Sequence, residues 1–163
     1  MKRADLIPQK ILTLHELQQR ILQWRLPGKS FAFTNGVFDI LHQGHIYSLI
    51  AAAKEADYLV VGLNADTSVK RLKGNARPVN DQQSRALLLA SLIMVDVVVL
   101  FEEDTPLELI KAIIPDVLVK GGDYSVEQIA GAKEVIASGG RVVINPILEG
   151  FSTTAIIARS QKG

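Results

Sequence analysis

The sequence predicts a single Rossmann-like, doubly wound α/β domain on a five-stranded parallel sheet, with an N-terminal helix in front of it. Three observations carry this. Continuous apolar runs alternate with segments of helical spacing, as when strands covered on both faces are joined by crossover helices. Four polar groups fall where a run ends or a helix begins, the edge of such a sheet that takes ligands. The length, 163 residues with 48% hydrophobic and 21% charged, suits one domain with a substantial core.

The elements follow in order. Leu14, Leu17, Ile21 and Leu22 have helical spacing, Thr13 and Glu16 match a capping box, and Pro27-Gly28 stops the helix. Residues 1–28 are therefore read as an N-terminal helical extension, with His15 exposed, and residues 29–163 as the main domain. Strands are expected at 31–34, 58–63, 95–101, 117–120 and 141–144, several of them unbroken Val/Leu/Ile runs. Helices are expected at 44–54, 81–92, 106–113, 126–137 and 152–159. The stretch from Asp66 to Val79 is the most polar and is expected to be a mobile loop.

Composition excludes several classes of function. Net charge is +1 and the lysines and arginines form no long run, so no nucleic-acid partner is expected. The absence of cysteine removes a disulfide framework, a thiolate metal site and a cysteine nucleophile. The first residues have no apolar core of the signal-peptide type, and no apolar stretch reaches the roughly 18 residues needed to span a bilayer. The expectation is a cytoplasmic protein without membrane contact.

The most informative stretch is Thr34-Asn35-Gly36-Val37-Phe38-Asp39-Ile40-Leu41-His42-Gln43-Gly44-His45. A strand ends there, a loop turns, and a helix opens with two histidines three residues apart on one face. Gly44 between them leaves room for an anion to reach the backbone, where free amides and the helix dipole attract phosphate. The other polar groups are Asn64-Ala65-Asp66 leading into Lys70 to Pro78, then Lys120-Gly121-Gly122-Asp123-Tyr124, then Glu149-Gly150-Phe151-Ser152-Thr153-Thr154. Taken singly, the second could be a solvated loop, the third a turn and the fourth an N-cap. Their convergence on one sheet edge favours a ligand site. No Gly-x-Gly-x-x-Gly follows the first strand and no P-loop is present, and the histidines lack a zinc-ligand spacing.

The blocks Thr34 to Asp39 and His42-Gln43-Gly44-His45 resemble the nucleotidyltransferase superfamily, whose mark is His-x-Gly-His. Gly150 to Thr154 resembles its C-terminal motif. Within it, Arg71-Leu72-Lys73-Gly74, Arg77-Pro78-Val79-Asn80, Phe101 to Pro106 and Pro115 to Tyr124 are similar to the D-glycero-β-D-manno-heptose 1-phosphate adenylyltransferases. The resemblance spans roughly residues 30 to 159. Val37 stands where relatives often have Cys, and Phe151 where Ile or Cys is usual; both positions stay apolar.

The resemblance implies ATP and heptose 1-phosphate giving ADP-heptose and pyrophosphate, for lipopolysaccharide or surface-glycan synthesis. His42 and His45 would contact the phosphates and the developing charge, and with Lys73 form the catalytic set. The nucleotide is expected on Thr34, Asn35, Gly36, Val37, Phe38 and Gly44, on Gly122 and Asp123, and, for its terminal phosphates, on Ser152, Thr153 and Thr154. Asp39, Asn64, Asp66, Arg77 and Arg85 are candidates for substrate contacts. Lys73 and Arg77 would close a mobile loop over the substrates; Asp39 either orients a substrate hydroxyl or caps a turn. No metal ligand is expected from the chain, Mg²⁺ arriving with ATP. Many relatives carry a fused sugar kinase absent here, so a stand-alone transferase fed by a separate heptose kinase is expected. The resemblance also implies a homo-oligomer, although the apolar stretch from Leu87 to Leu100 reads as core. The rival readings are a transferase making CDP-glycerol from CTP, and a nucleotide-binding regulator without catalysis.

Overall fold

The computed structural model describes residues 4–146 and 150–161. It has six parallel strands where the sequence predicted five: β1 (Ile11–Leu12), β2 (Phe31–Gly36), β3 (Tyr58–Asn64), β4 (Val97–Phe101), β5 (Val117–Gly121) and β6 (Arg141–Asn145). They lie in the order β1-β4-β3-β2-β5-β6. The sixth strand is β1, whose two residues pair with Val98 and Val99 of β4. Two residues carry no detectable periodicity, so only the edge of the finished sheet reveals them as a strand.

The seven helices among the described residues are α1 (Leu14–Arg25), α2 (Gln43–Ala53), α3 (Asp66–Lys73), α4 (Gln82–Ala90), α5 (Leu107–Ile113), α6 (Ala132–Ala137) and α7 (Thr153–Ser160). None is long and apolar enough to cross a membrane. The capping box of α1 forms, with the Glu16 amide donating to Thr13 Oγ1 at 3.3 Å and the Thr13 amide to Glu16 Oε2 at 2.8 Å. The helix is no separate appendage, however. It buries Leu17, Ile21 and Trp24 in the main core, and the Trp24 ring stacks on Tyr58 of β3 at 4.2 Å.

Pleating sends alternate strand residues to opposite faces. Phe31, Phe33, Val60, Val97, Val99 and Leu118 join α1, α5 and α6 in one core. Ala32, Leu59, Val61, Leu63, Val98, Val117 and Val119 join α2 and α4 in the other. The apolar stretch from Leu87 to Leu100 is divided: Leu89, Val95 and the strand valines are buried, whereas Leu87, Leu88 and Ile93 are exposed.

Two further expectations are corrected. The polar stretch from Asp66 is not one loop, because its first eight residues form α3. Val69 and Ser68 face inward and are fully buried; Ser68 Oγ accepts from Asn64 Nδ2 and donates to the Glu103 carbonyl, both at 3.0 Å. The helix thus buries two of its eight residues, one of them polar. The helix expected at 126–137 is broken, a 3-10 turn at Val126–Gln128 preceding α6. Gly131 separates them with a left-handed φ of +84° that interrupts the helix, and a Cβ there would lie 2.7 Å from Ile110 of α5.

The chain runs outward from β2 through β3 to β4, then returns to lay β5 and β6 on the other flank. Connections therefore diverge at the C-terminal ends of β2 and β5. This is the topological switch point at which open α/β sheets bind ligands.

Candidate active site

The end of β2 opens into a cavity of about 770 Å³ at that switch point. The turn after β2 is shaped by Phe38, which adopts a positive φ of 47° and points its ring back under the strand. A Cβ on Gly36 would meet that ring at 2.9 Å, so any larger residue there would push the ring aside. The same ring meets the edge of His45 at 5.2 Å.

His42 occupies the N-cap of α2 but makes no capping hydrogen bond. The first-turn amides of α2 are left without a side-chain acceptor, a ready position for an anion. The His42 and His45 rings stack with centroids 3.8 Å apart. Gly44 keeps this pair together: a Cβ there would stand 3.1 Å from the His42 ring and 3.1 Å from Phe151. The glycine thus serves ring packing as well as backbone access.

Both Nδ1 atoms are buried without a partner, which leaves the Nε2 edges to meet a ligand. Burial lowers the His42 pKa. Burial and the neighbouring His42 lower that of His45 from 6.5 to about 4. Near neutral pH both imidazoles are therefore neutral, each with one nitrogen that donates and one that accepts.

Across the cavity, α7 presents its N-terminus. Ser152 Oγ is its cap, accepting from the Ala155 amide at 3.0 Å, and Thr153 Oγ1 donates to the Ile40 carbonyl at 3.2 Å. The second bond ties the C-terminal motif to the histidine turn. The capping alternative for this motif is thus realised for Ser152, while Thr154 also lines the cavity. Glu149, at the start of that motif, lies outside the described residues.

Asp39 caps a turn. It is 1% exposed, and its carboxylate accepts from the Val79 and Asn80 amides at 2.9 and 3.0 Å and from Arg77 Nε at 2.6 Å. Burial pushes its pKa up, but those amides and the guanidinium outweigh it and hold the carboxyl below its ordinary range. The segment from Arg77 to Asn80 is thereby fastened to the loop that carries His42.

The cavity brings together Thr34, Asn35, Gly36, Val37, Phe38, Asp39, His42, Gly44, His45, Lys73, Arg77, Ser152, Thr153 and Thr154. Five sequence candidates fall elsewhere. Arg85 is wholly buried, donating to the carbonyls of Asn80, Val37 and Asn64 and to Asp66 Oδ1. That set also accounts for Asp66, its ion-pair partner at 2.7 Å. Asn64 is buried on Ser68 at the edge of a smaller cavity. Gly122 donates to the Asn145 carbonyl at 3.0 Å, which joins the ends of β5 and β6, and Asp123 is exposed outside the cavity lining.

Lys120, Asn145 and Pro146 line the cavity but were not among the site candidates. Lys120 stood inside a polar group already singled out. Asn145 had no motif around it and is found only through its register opposite Gly121. Among the described residues, no group of three carboxylates, imidazoles or thiols is placed to hold a metal ion.

The depressed pKa of His45 sets a pH dependence. Between about pH 4 and its ordinary value of 6.5, the unfolded chain binds a proton that the folded, empty site does not. Stability is complete above that window and falls as pH drops through it. A bound polyphosphate favours imidazolium and raises the pKa, so binding should take up protons near pH 6. Titration calorimetry of ATP in buffers of different ionisation enthalpy measures this directly. An enthalpy independent of the buffer would exclude it.

The cytidylyltransferase-like family model matches residues 33–159. Among curated relatives, the bifunctional protein HldE of Rhodopseudomonas palustris (strain BisB18) is 56% identical over 148 residues, 91% of this chain and 30% of the relative. That of Hyphomonas neptunium is 53% identical over 161 residues, 99% of this chain and 32% of the relative. The chain thus spans about a third of the length of these proteins. The lipopolysaccharide core biosynthesis protein of Thermoplasma volcanium GSS1 superposes with a TM-score of 0.59 at 32% identity, covering 74% of this chain and 98% of that one. A pantoate-beta-alanine ligase from Francisella tularensis shares the fold alone, with a TM-score of 0.58 at 16% identity over 93% of this chain and 76% of that one. With the model match running from β2 to the last helix, the chain belongs to the cytidylyltransferase-like family.

Proposed function

We propose that this chain is an adenylyltransferase that joins ATP and D-glycero-β-D-manno-heptose 1-phosphate into ADP-heptose and pyrophosphate, for lipopolysaccharide or surface-glycan synthesis. The observation that carries the reading is the stacked His42–His45 pair at an uncapped helix start, facing the N-terminus of α7 across one cavity. Relatives named as bifunctional HldE proteins, and a structural neighbour named for lipopolysaccharide core biosynthesis, support this acceptor.

The chemistry asks little of the protein beyond placement. An oxygen of the acceptor phosphate attacks the α-phosphorus of ATP, the bond from that phosphorus to the bridging oxygen breaks, and pyrophosphate leaves. The attacking oxygen is already anionic, so neither a general base nor a protein nucleophile is required. Rate then comes from holding two anions in line and stabilising charge on the phosphoryl oxygens. The Nε2 edges of His42 and His45 and the amides of Gly44 and His45 would hold the triphosphate. The start of α7, with Thr154, would meet its terminal phosphates from the opposite side, and Lys73 and Arg77 would neutralise the charge.

Donors here are hydroxyls, amides, imidazoles and cations, with Asp39 committed to Arg77 and its turn. Such a set fits Mg²⁺ carried on the nucleotide, with water and phosphate oxygens as ligands, rather than a cage made by the chain. Bound there, the ion would neutralise phosphate charge.

Every residue lining the cavity lies within 29–163, the segment proposed as the transferase unit. ATP supply places the reaction in the cytoplasm, and a heptose kinase acting upstream is the implied partner. A homo-oligomer would find an apolar surface in the exposed Leu87, Leu88 and Ile93. The family's description favours one rival in the nucleotide alone, a cytidylyltransferase using CTP in place of ATP.

Lys73→Ala tests the basic wall of the site. Lys73 ends α3, is exposed and makes no ion pair among the described residues. Its loss should lower kcat by on the order of 10²-fold, as for loss of one charge-stabilising donor, with Tm unchanged. A large fall in Tm would assign it a structural role instead.

A further inference from the structure

The segment between α3 and α4 changes character at Arg77. Residues 73–76 are exposed, and Gly74 among them has φ +92°, with open space where a Cβ would stand. From Arg77 to Asn80 the chain is instead tied to the turn after β2. The Val79 and Asn80 amides donate to Asp39 Oδ1 at 2.9 and 3.0 Å, and Arg77 Nε donates to Oδ2 at 2.6 Å. Asn80 Nδ2 donates to the Asp39 carbonyl at 2.8 Å. Arg85 adds a second bridge, with Nη1 on the Val37 carbonyl and Nε on the Asn80 carbonyl. The same turn receives Thr153 of α7 at the Ile40 carbonyl and leads into His42.

Asp39 and Arg77 are matched in burial as well as in charge. Side-chain exposure is 1% for the aspartate and 17% for the arginine. Taking the guanidinium away would leave a buried carboxylate without a counter-charge, which is strongly destabilising. Arg77 is therefore not free to leave Asp39 for an incoming anion. Among the described residues only its Nε has a side-chain partner. The two terminal nitrogens remain for a ligand in the main cavity, whose wall Arg77 forms together with His42 and His45. A guanidinium is a planar fork, so holding one edge fixes the direction of the others.

We propose that Asp39 is a positioning residue that aims the Arg77 guanidinium at a phosphate group held beside His42 and His45. This role rests on the transferase reading above. Arg77 then stands ready before the substrate arrives, and the closing movement expected of Lys73 and Arg77 together falls to residues 73–76 alone. A cation set in place beforehand needs no reorganisation as charge develops on the phosphoryl oxygens. A flexible one would have to be ordered at every turnover.

A double-mutant cycle on the full chain tests the role. Pyrophosphate release from ATP and heptose 1-phosphate is one readout, and calorimetric binding of a non-hydrolysable ATP analogue is the other. Arg77→Ala should lower kcat/KM by on the order of 10²-fold, as for loss of one charge-stabilising group. Asp39→Asn keeps an oxygen for the Val79 and Asn80 amides but turns an NH₂ group toward Arg77 Nε. It should lower kcat/KM by roughly tenfold or more, the effect of a misplaced group. The double variant should be no more than about twofold below Arg77→Ala, because a residue acting through Arg77 has nothing left to act on. Analogue affinity should show the same non-additivity. Arg77→Lys leaves Asp39 intact and should lose roughly tenfold in kcat/KM, since an ammonium carries the charge without the fork.

Losses that multiply in the double variant would overturn the role and make Asp39 a support for the turn, independent of Arg77. Wild-type turnover in Asp39→Asn or in Arg77→Lys would overturn it too, and Arg77→Lys decides the matter if Asp39→Asn does not fold. Pyrophosphate release by wild type together with multiplied losses would keep the transferase reading and reject the positioning. Non-additive analogue binding without pyrophosphate release by wild type would keep the positioning and reject the reading. Wild type that neither binds the analogue nor releases pyrophosphate would overturn both.

Discussion

Arg85→Ala should cost about 3–5 kcal/mol of stability, the range for breaking a buried, hydrogen-bonded charge pair. For a domain of this size that lowers Tm by roughly 6–20 °C. Arg85 is 0% exposed, and its guanidinium makes four hydrogen bonds to three segments: the Asn80 carbonyl at 3.0 Å, the Val37 carbonyl at 2.7 Å, and, in the stretch 64–66, the Asn64 carbonyl at 2.9 Å and Asp66 Oδ1 at 2.7 Å. Alanine would leave a large void and three carbonyls unpaired. Lysine should rescue only in part, since one ammonium on a flexible stem cannot reproduce a planar fork. Thermal unfolding of both variants checks this. A fall of only one or two degrees for alanine would mean that water replaces the guanidinium at little cost.

His45→Ala should reduce kcat by on the order of 10²–10³-fold, the loss seen when one preorganised donor to a developing oxyanion is removed. The fold should survive. What alanine loses is the ring's stacking on His42 and its edge contact with Phe38. A normal Tm with near-normal turnover would rule out contact between His45 and the reacting phosphate. The contrast between the two variants is the informative part. Arg85 should govern stability and His45 should govern rate.

Much of this was legible before the structure. Val/Leu/Ile runs marked five strands because strands buried on both faces need no polar alternation. The histidine turn and the Ser152 motif were legible because helix starts and glycines follow local rules. The failures share one cause: partners distant in sequence. Ile11–Leu12 becomes a strand only by pairing with β4, 87 residues away at Ile11↔Val98. Arg85 read as a candidate for substrate contact because its charge was visible and the three carbonyls that bind it were not. Asp39 could not be assigned until Arg77, Val79 and Asn80 were seen around its carboxylate. Asn145 reaches the site solely through its position opposite Gly121.

The acidic residues near the site illustrate how magnitude decides between roles. Asp39 and Asp66 are each paired with an arginine, at 2.6 and 2.7 Å, and neither is free to act on a substrate. What remains facing the main cavity is two imidazoles, three cations and the starts of two helices. A site so poor in free carboxylate suits two polyanions and is ill suited to hydrolysis by a general base.

The most direct measurement is pyrophosphate release by the purified chain with each nucleotide and acceptor in turn: ATP or CTP, with heptose 1-phosphate or glycerol 3-phosphate. The account predicts release with ATP and heptose 1-phosphate at a rate far above the other three pairs, with ADP-heptose as product. Release confined to CTP and glycerol 3-phosphate would contradict it, and so would tight ATP binding with no release from any pair.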